Sequence, residues 1–217
     1  MKVLVIAPHA DDEVLGCGGT IARHAESGDN VTLCIVCDFY NVTKTQRNRK
    51  MKEMHAVTDI LGIEKIVRLN LPNAYLDMVA QKELNDDIHR VVVKYAPDIV
   101  YVPYGGDLHR DHRIVFEASM VALRPNKDHV IQKIYAYEVP SETEWLPSSR
   151  AFTPNTYVNI HRTLDLKLKA MECYKSEVRE HPHPRSCECL TALAKKRGAE
   201  AYLDVVEAFI LLRGIVK

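Results

Sequence analysis

Short apolar runs rich in β-branched residues alternate with longer amphipathic stretches along the first two-thirds of the chain. This order predicts repeated βαβ units and a parallel sheet. The predicted strands are Lys2–Ala7, Val31–Cys37, Lys65–Leu69, Asp98–Val102 and Ile131–Tyr137. The predicted helices are Val14–Ser27, Gln46–Leu61, Val79–Tyr95 and Asp111–Leu123. Because the strands are almost entirely apolar, we expect helices on both faces of the sheet.

After Tyr137 the pattern is less regular, because prolines interrupt it. Only Leu164–Tyr174 and Cys189–Arg197 have helical spacing, and Val205–Leu212 fits a last strand or a short helix. No low-complexity linker or internal repeat divides the chain, so residues 1–217 are predicted to form a single domain. The expected fold is α/β and Rossmann-like, with a mostly parallel sheet and an irregular C-terminal third. In such sheets, ligands bind beyond the carboxyl ends of the strands.

The charge balance excludes several classes of function. The chain has 29 Lys and Arg against 29 Asp and Glu. Proteins that bind nucleic acid through phosphate contacts usually have a basic excess, so we expect no nucleic-acid partner. The apolar runs are far shorter than the ~20 residues of a membrane-spanning helix. No signal-peptide pattern opens the sequence, so we expect no membrane association and a cytoplasmic location.

A polar segment follows the first predicted strand and consists of His9, Ala10, Asp11, Asp12 and Glu13. A dinucleotide-binding domain would have a G-x-G-x-x-G sequence here, so that backbone amides could approach a pyrophosphate. Three acidic side chains would instead repel a phosphate. The same residues suit a metal ion.

A second polar segment follows the fourth predicted strand and contains His109, Asp111 and His112. The two histidines are three residues apart at a predicted helix start, so their side chains can share one face. Because both segments follow strands of one parallel sheet, we expect them to converge on one site. Three protein ligands of the His and Asp type, completed by water, are the pattern of a catalytic zinc site.

Together the two segments resemble the PIG-L/LmbE family of zinc-dependent N-deacetylases. That family usually has Ala-His-Pro-Asp-Asp-Glu, where this chain has Pro8-His9-Ala10-Asp11-Asp12-Glu13. It also usually has proline at the position of Arg110, between the two histidines of the second segment. Neither exchange removes a chemically active group. The resemblance extends over most of the chain, through Leu61-Gly62, Tyr137–Pro140, His183–Ser186 and Arg197-Gly198.

The resemblance implies a role for each polar residue. The implied metal ligands are His9, Asp12 and His112. Asp11 is then the general base, and His109 faces the developing oxyanion as an imidazolium whose ring Asp111 holds. Such a site suits amide hydrolysis, because a metal lowers the pKa of bound water towards ~7 and polarises the carbonyl. Either Asp11 or His109 could protonate the leaving amine.

Three further residues have a predicted place in this scheme. The family often has a substrate-binding arginine near the start of the second helix, which predicts that role for Arg49 or leaves it on a solvated basic face. Arg185 belongs to a segment that could form a rim loop over the pocket, and it is a second predicted substrate-binding residue. Glu13 could orient a ligand, bind substrate or favour the helix N-terminus.

The function implied by the resemblance is removal of an acetyl group from an N-acetylated sugar of the N-acetylglucosamine type, by a homo-oligomer. The expected cofactor is Zn²⁺, with Fe²⁺ or another divalent metal as an alternative. Two other functions remain open. Two histidines and a carboxylate also form the site of non-haem iron enzymes. A non-catalytic protein could use the same metal to bind sugars, although binding alone requires neither a base nor an oxyanion donor.

Overall fold

The computed structural model describes residues 1–38, 42–125, 129–145 and 150–216. Its strands are β1 (Lys2–Ala7), β2 (Asn30–Asp38), β3 (Lys65–Pro72), β4 (Ile99–Pro103), β5 (Lys133–Tyr137), β6 (Thr156–Asn159) and β7 (Val206–Gly214). Its α-helices are α1 (Asp12–Glu26), α2 (Lys44–Leu61), α3 (Gln81–Tyr95), α4 (Arg110–Ala122), α5 (Leu164–Cys173) and α6 (Cys187–Ala201).

The strands form one sheet in the order β3-β2-β1-β4-β5-β7-β6. The first five strands are parallel, whereas β7 runs antiparallel to β5 and β6 runs antiparallel to β7. This arrangement confirms the predicted α/β fold with a mostly parallel sheet. The predicted segment Val205–Leu212 is a strand, and β6 is a strand that the sequence did not reveal.

Apolar side chains on both faces of the sheet explain why its strands are so uniformly hydrophobic. In β1, Val3 and Val5 pack into one core together with residues of α1, α2, α5 and α6. Leu4 and Ile6 point the other way, into a second core with α3 and α4. Helices therefore cover both faces, as the apolar strands predicted.

Helix α1 is interrupted at Cys17, whose φ of −146° and ψ of 20° are not helical. The buried carboxylate of Glu207 accepts hydrogen bonds from the backbone N–H groups of Gly19 and Thr20, at 2.9 and 2.7 Å. Lys167 donates to Glu207 at 2.7 Å and to a backbone carbonyl on the other side of the break at 2.9 Å. This buried ion pair satisfies backbone groups that the break leaves without helical partners.

None of the helices in the described ranges is long and apolar enough to cross a bilayer. The cytoplasmic location and the homo-oligomeric state stay predictions.

Candidate metal centre

The two polar segments meet at one edge of the sheet. Strands β1 and β4 are adjacent and parallel, with Val3 opposite Ile99, so the loops after them begin side by side. The strand order reverses between these two strands, which is the point at which open α/β sheets bind ligands.

Three donor atoms in these loops form a nearly equilateral triangle. Nδ1 of His9 lies 3.3 Å from Oδ2 of Asp12, and Nε2 of His112 lies 3.2 Å from the same oxygen. The two histidine nitrogens are 3.3 Å apart. Donor atoms that share one ion at ~2.0–2.2 Å are separated by about 3.3–3.6 Å in tetrahedral geometry and by about 2.8–3.1 Å in octahedral geometry. The predicted ligands therefore have a spacing that fits a single metal ion.

The charges at this triangle also favour a cation. Burial works against a proton on His112, yet the Asp12 carboxylate and hydrogen bonds to Asp107 and Asp12 raise the pKa of His112 to about 9. The pKa of Asp12 is held well below its usual value, against the effect of burial, by His112 and His9. A bound metal would take the place of this proton, because ligand histidines must be neutral.

A carboxylate holds the outer nitrogen of each ligand histidine. Oδ2 of Asp111 lies 3.0 Å from Nε2 of His9, and Oδ2 of Asp107 lies 3.0 Å from Nδ1 of His112. Such partners fix the tautomer and aim the other nitrogen at the metal. Asp111 was expected to hold His109, so this expectation is corrected: its carboxylate contacts His9 instead. No sequence pattern predicts a role for Asp107, which lies in the loop before α4, five residues before His112.

Asp11 lies beside the ligands in an unusual backbone conformation. Its φ is 136°, in a region that L-residues rarely adopt, at the position that starts α1. Its Oδ2 atom lies 3.1 Å from Nη1 of Arg185. Burial and the neighbouring Asp12 carboxylate raise the pKa of Asp11 well above its usual value, and Arg185 opposes that rise. A raised pKa makes a carboxylate a better proton acceptor.

Glu13 holds the backbone of Asp11 in place. Its Oε2 atom accepts a hydrogen bond from the backbone N–H of Asp11 at 3.0 Å, and its Oε1 atom accepts one from the Tyr174 hydroxyl at 2.6 Å. The side chain is fully buried, and burial raises the pKa of Glu13 to about 7. Of the roles considered for Glu13, the geometry favours orientation of its neighbours.

His109 starts helix α4, and its Nδ1 atom accepts a hydrogen bond from the backbone N–H of Asp111 at 3.2 Å. Its ring centroid lies 4.7 Å from that of His9 and 4.8 Å from that of His112. Burial and the charges of His9 and His112 lower the pKa of His109 to about 4. This low pKa favours a neutral ring over the predicted imidazolium, and the bond accepted by Nδ1 then assigns the proton to Nε2.

These groups line a polar cavity of about 170 Å³. The described lining residues are His9, Ala10, Asp11, Asp12, Cys37, Lys50, Asn73, His109, His112, Glu142, Glu177 and Arg185. Arg185 thus lies where a substrate-binding role requires it. Arg49 is outside this lining, with its Nε atom 3.8 Å from Glu53 and most of its side chain exposed. The neighbouring Lys50 lines the cavity instead.

A second cavity, of about 330 Å³, lies near the amino ends of the parallel strands, beside the end of α3 and the start of β5. Its described lining is mainly apolar and contains no carboxylate. The groups capable of acid–base and metal chemistry are concentrated in the smaller, polar cavity.

Comparison with known families agrees with this arrangement. The family model described as "PIG-L: GlcNAc-PI de-N-acetylase" matches residues 4–123, a range that includes both polar segments. The chain belongs to the PIG-L family.

Two relatives show how far the similarity to this PIG-L chain extends. The "uncharacterized deacetylase YaiS" of Escherichia coli is 31% identical over 80% of this chain and 90% of its own length. The diacetylchitobiose deacetylase of Thermococcus kodakarensis is 29% identical over 82% of this chain and 71% of its own length.

Solved structures show the same PIG-L fold. The N,N'-diacetylchitobiose deacetylase of Pyrococcus horikoshii matches with a TM-score of 0.77 and 24% identity, over 97% of this chain and 83% of the other. GalB, a 4-carboxy-2-hydroxymuconate hydratase of Pseudomonas putida, matches with a TM-score of 0.80 and 20% identity, over 100% of this chain and 98% of the other. One fold thus supports two reactions, so the reaction must be argued from the site.

Proposed function

We propose that this chain is a metal-dependent hydrolase that removes the acetyl group from an N-acetylated sugar of the N-acetylglucosamine type. The observation that carries the proposal is the triangle of donor atoms with Asp11 beside it. The family, together with relatives named as deacetylases at 31% and 29% identity, supports the same reaction.

His9, Asp12 and His112 would hold the metal, with Asp107 and Asp111 orienting the two histidines. A bound ion of this kind supplies Lewis acidity at the amide carbonyl and lowers the pKa of water. Two imidazoles and one carboxylate with open positions suit Zn²⁺, and they also suit Fe²⁺. A solved neighbour described as the zinc-inhibited form of teicoplanin deacetylase adds support for zinc binding in this fold.

In the proposed reaction, Asp11 takes a proton from the attacking water. Its raised pKa suits it to hold that proton and then to pass it to the leaving amine. The Nε2–H group of neutral His109 donates a hydrogen bond to the oxyanion. A neutral imidazole is a poor acid, so Asp11 is the better candidate for both proton transfers.

The two rival functions fit these contacts less well. An iron oxygenase does not need a carboxylate base beside its ligands, and a sugar-binding protein needs neither that base nor the donor on His109. Asp11 is held by Glu13 and Arg185 next to the ligand set, which favours hydrolysis.

The test is acetate release from N-acetylglucosamine and N,N'-diacetylchitobiose under anaerobic conditions, with metal content measured on the same preparation. We expect release without oxygen, its loss after chelation and its return with added Zn²⁺. A requirement for oxygen would favour the iron enzyme. Sugar binding without release by fully metal-loaded protein would favour the binding protein.

A further inference from the structure

Two cationic side chains line the cavity, and carboxylates pair with both of them. Nζ of Lys50 lies 2.9 Å from Oε1 of Glu177 and 3.2 Å from the Ser176 hydroxyl. Lys50 extends from α2, whereas Ser176 and Glu177 follow α5. An incoming anion would have to compete with Glu177 for this ammonium group.

Arg185 also has several partners within the protein. Its Nη1 atom lies 3.1 Å from Asp11 and 3.3 Å from Glu177, and its Nη2 atom lies 3.5 Å from Glu142. Its Nε atom donates to the Ser141 hydroxyl at 2.8 Å. All three guanidinium nitrogens therefore have partners within the protein, so an incoming phosphate or carboxylate would have to compete with these partners for the planar group.

The charges of the described lining residues give the same picture. Two cations, Lys50 and Arg185, face four carboxylates, those of Asp11, Asp12, Glu142 and Glu177. Despite burial, hydrogen bonding to Lys50 and the charge of Arg185 lower the pKa of Glu177, so Glu177 is ionised at neutral pH. With neutral histidines and all four carboxylates ionised, a divalent ion would bring the formal charge of this lining to zero.

We infer that this cavity selects N-acetylated sugars whose other substituents are uncharged, and that Glu177 and Glu142 discriminate against sugars carrying a phosphate or carboxylate. The inference rests on the proposed deacetylase function and specifies its substrate class. Its physical basis is that each glutamate both neutralises a cation and repels an anionic substituent. Specificity of this kind depends on the penalty for the wrong ligand as much as on contacts with the right one.

The experiment compares kcat/KM for acetate release by zinc-loaded enzyme from three sugars. Methyl N-acetylglucosaminide is the neutral substrate, and the 1-phosphate and 6-phosphate of N-acetylglucosamine place a negative charge at either end of the ring. For the phosphate that is more strongly rejected, we expect the kcat/KM of wild type to be at least about tenfold lower than for the neutral sugar. This factor corresponds to about a third of the interaction between two unit charges about 4 Å apart near a protein surface.

Substitution of the glutamates should reduce that preference. Glu177→Gln leaves Lys50 and Arg185 with fewer negative partners, so the ratio of neutral to anionic kcat/KM should fall by about fivefold or more. Glu142→Gln should move the ratio in the same direction. Glu172→Gln removes the same charge from an exposed position in α5 and should leave the ratio unchanged. Zinc content and thermal unfolding establish that each variant is folded and loaded.

The outcomes separate the two proposals. Wild type that hydrolyses neutral and phosphorylated sugars equally well would overturn the charge inference and leave the deacetylase function standing. An unchanged ratio in both Glu177→Gln and Glu142→Gln would also overturn it. If zinc-loaded wild type releases acetate from none of the three sugars, the deacetylase function fails and the inference fails with it.

Discussion

Asp11 differs from the neighbouring ligands His9 and Asp12 because its carboxylate lies outside the donor triangle and contacts Arg185 instead. We therefore expect Asp11→Asn to retain metal and fold but to lose activity, because an amide cannot accept the proton of water. The loss in kcat should be about a hundredfold or more. Zinc content and kcat, measured on one preparation, check this. Loss of zinc together with activity would instead make Asp11 a ligand.

Glu13 acts on Asp11 through the backbone rather than through the reacting atoms. A non-glycine residue in a strained conformation costs about 1–3 kcal/mol, and here the Glu13 carboxylate stabilises it by accepting the Asp11 N–H. We expect Glu13→Ala to lower kcat with zinc retained and KM little changed. Glu13→Gln keeps an acceptor oxygen and should retain more activity. Equal activity of the two variants would contradict this positioning role.

His109 combines two roles that substitution can separate. Because His109 donates to the oxyanion in the proposed reaction, His109→Ala should lower kcat by about a hundredfold with little change in KM. Because His109 also starts α4, the same substitution should reduce stability. His109→Asn can still cap the helix, so it should recover the unfolding temperature without recovering kcat. Full activity in either variant would remove His109 from the reaction.

The pH dependence provides a second check on His109. Burial lowers the pKa of His109, and a cation held by His9 and His112 would oppose a proton on its ring as the charges of these two histidines do, so the ring is neutral throughout the neutral and alkaline range. Raising the pH above 6 then removes no proton from it. The alkaline limb of kcat/KM should therefore be the same in wild type and His109→Ala. An alkaline limb that is present in wild type and absent in the variant would instead show that His109 acts as an imidazolium, as the family resemblance implies.

The family resemblance implies the ligand set, but the sequence does not predict the partners of each ligand. Spacing places His109 and His112 at a helix start, and strand order brings them to His9. The sequence does not reveal which carboxylate contacts which histidine nitrogen, because these contacts depend on side-chain rotamers. The sequence analysis therefore paired Asp111 with His109, whereas its carboxylate contacts His9. Asp107 had no predicted role.

At the scale of elements, buried strands are easier to predict than short edge strands and helix faces. Strands β1, β2 and β4 are buried over nearly their whole length because both faces are covered, so their positions follow from composition. Strand β6 has only four residues, Thr156–Asn159, and pairs only with β7, so its sequence carries little signal. On α2, a shift of one residue turns a side chain by 100°, which separates exposed Arg49 from cavity-lining Lys50.

The buried ion pair at the interruption of α1 should contribute to the stability of the protein. Lys167→Met would leave the Glu207 carboxylate buried without its cation, although two backbone N–H groups would still bind it. Removing one partner of a buried ion pair typically costs about 3 kcal/mol or more. Lys169→Met, on the exposed side of α5, is the matched control and should change little. Denaturant unfolding measures both, and equal stabilities would show that Glu207 does not need Lys167.

At the scale of the whole molecule, the donor triangle connects loops that are about a hundred residues apart in sequence. His9 and Asp12 follow β1 whereas His112 lies on α4, so the three atoms converge only in the folded chain. The unfolded chain therefore has no equivalent site. A metal that binds only the folded state must stabilise the whole protein, independently of any catalysis.

We therefore expect Zn²⁺ to raise the unfolding temperature of metal-stripped wild type. At a free concentration a hundredfold above Kd, the stabilisation is about 2.7 kcal/mol, which corresponds to roughly 5–10 °C for a chain of this size. His112→Ala should lose most of this shift because it removes one corner of the triangle. His161→Ala removes a histidine that is exposed and paired with Asp204, so it should keep the full shift. Calorimetry with and without Zn²⁺ measures all three proteins, and a full shift in His112→Ala would place the metal elsewhere.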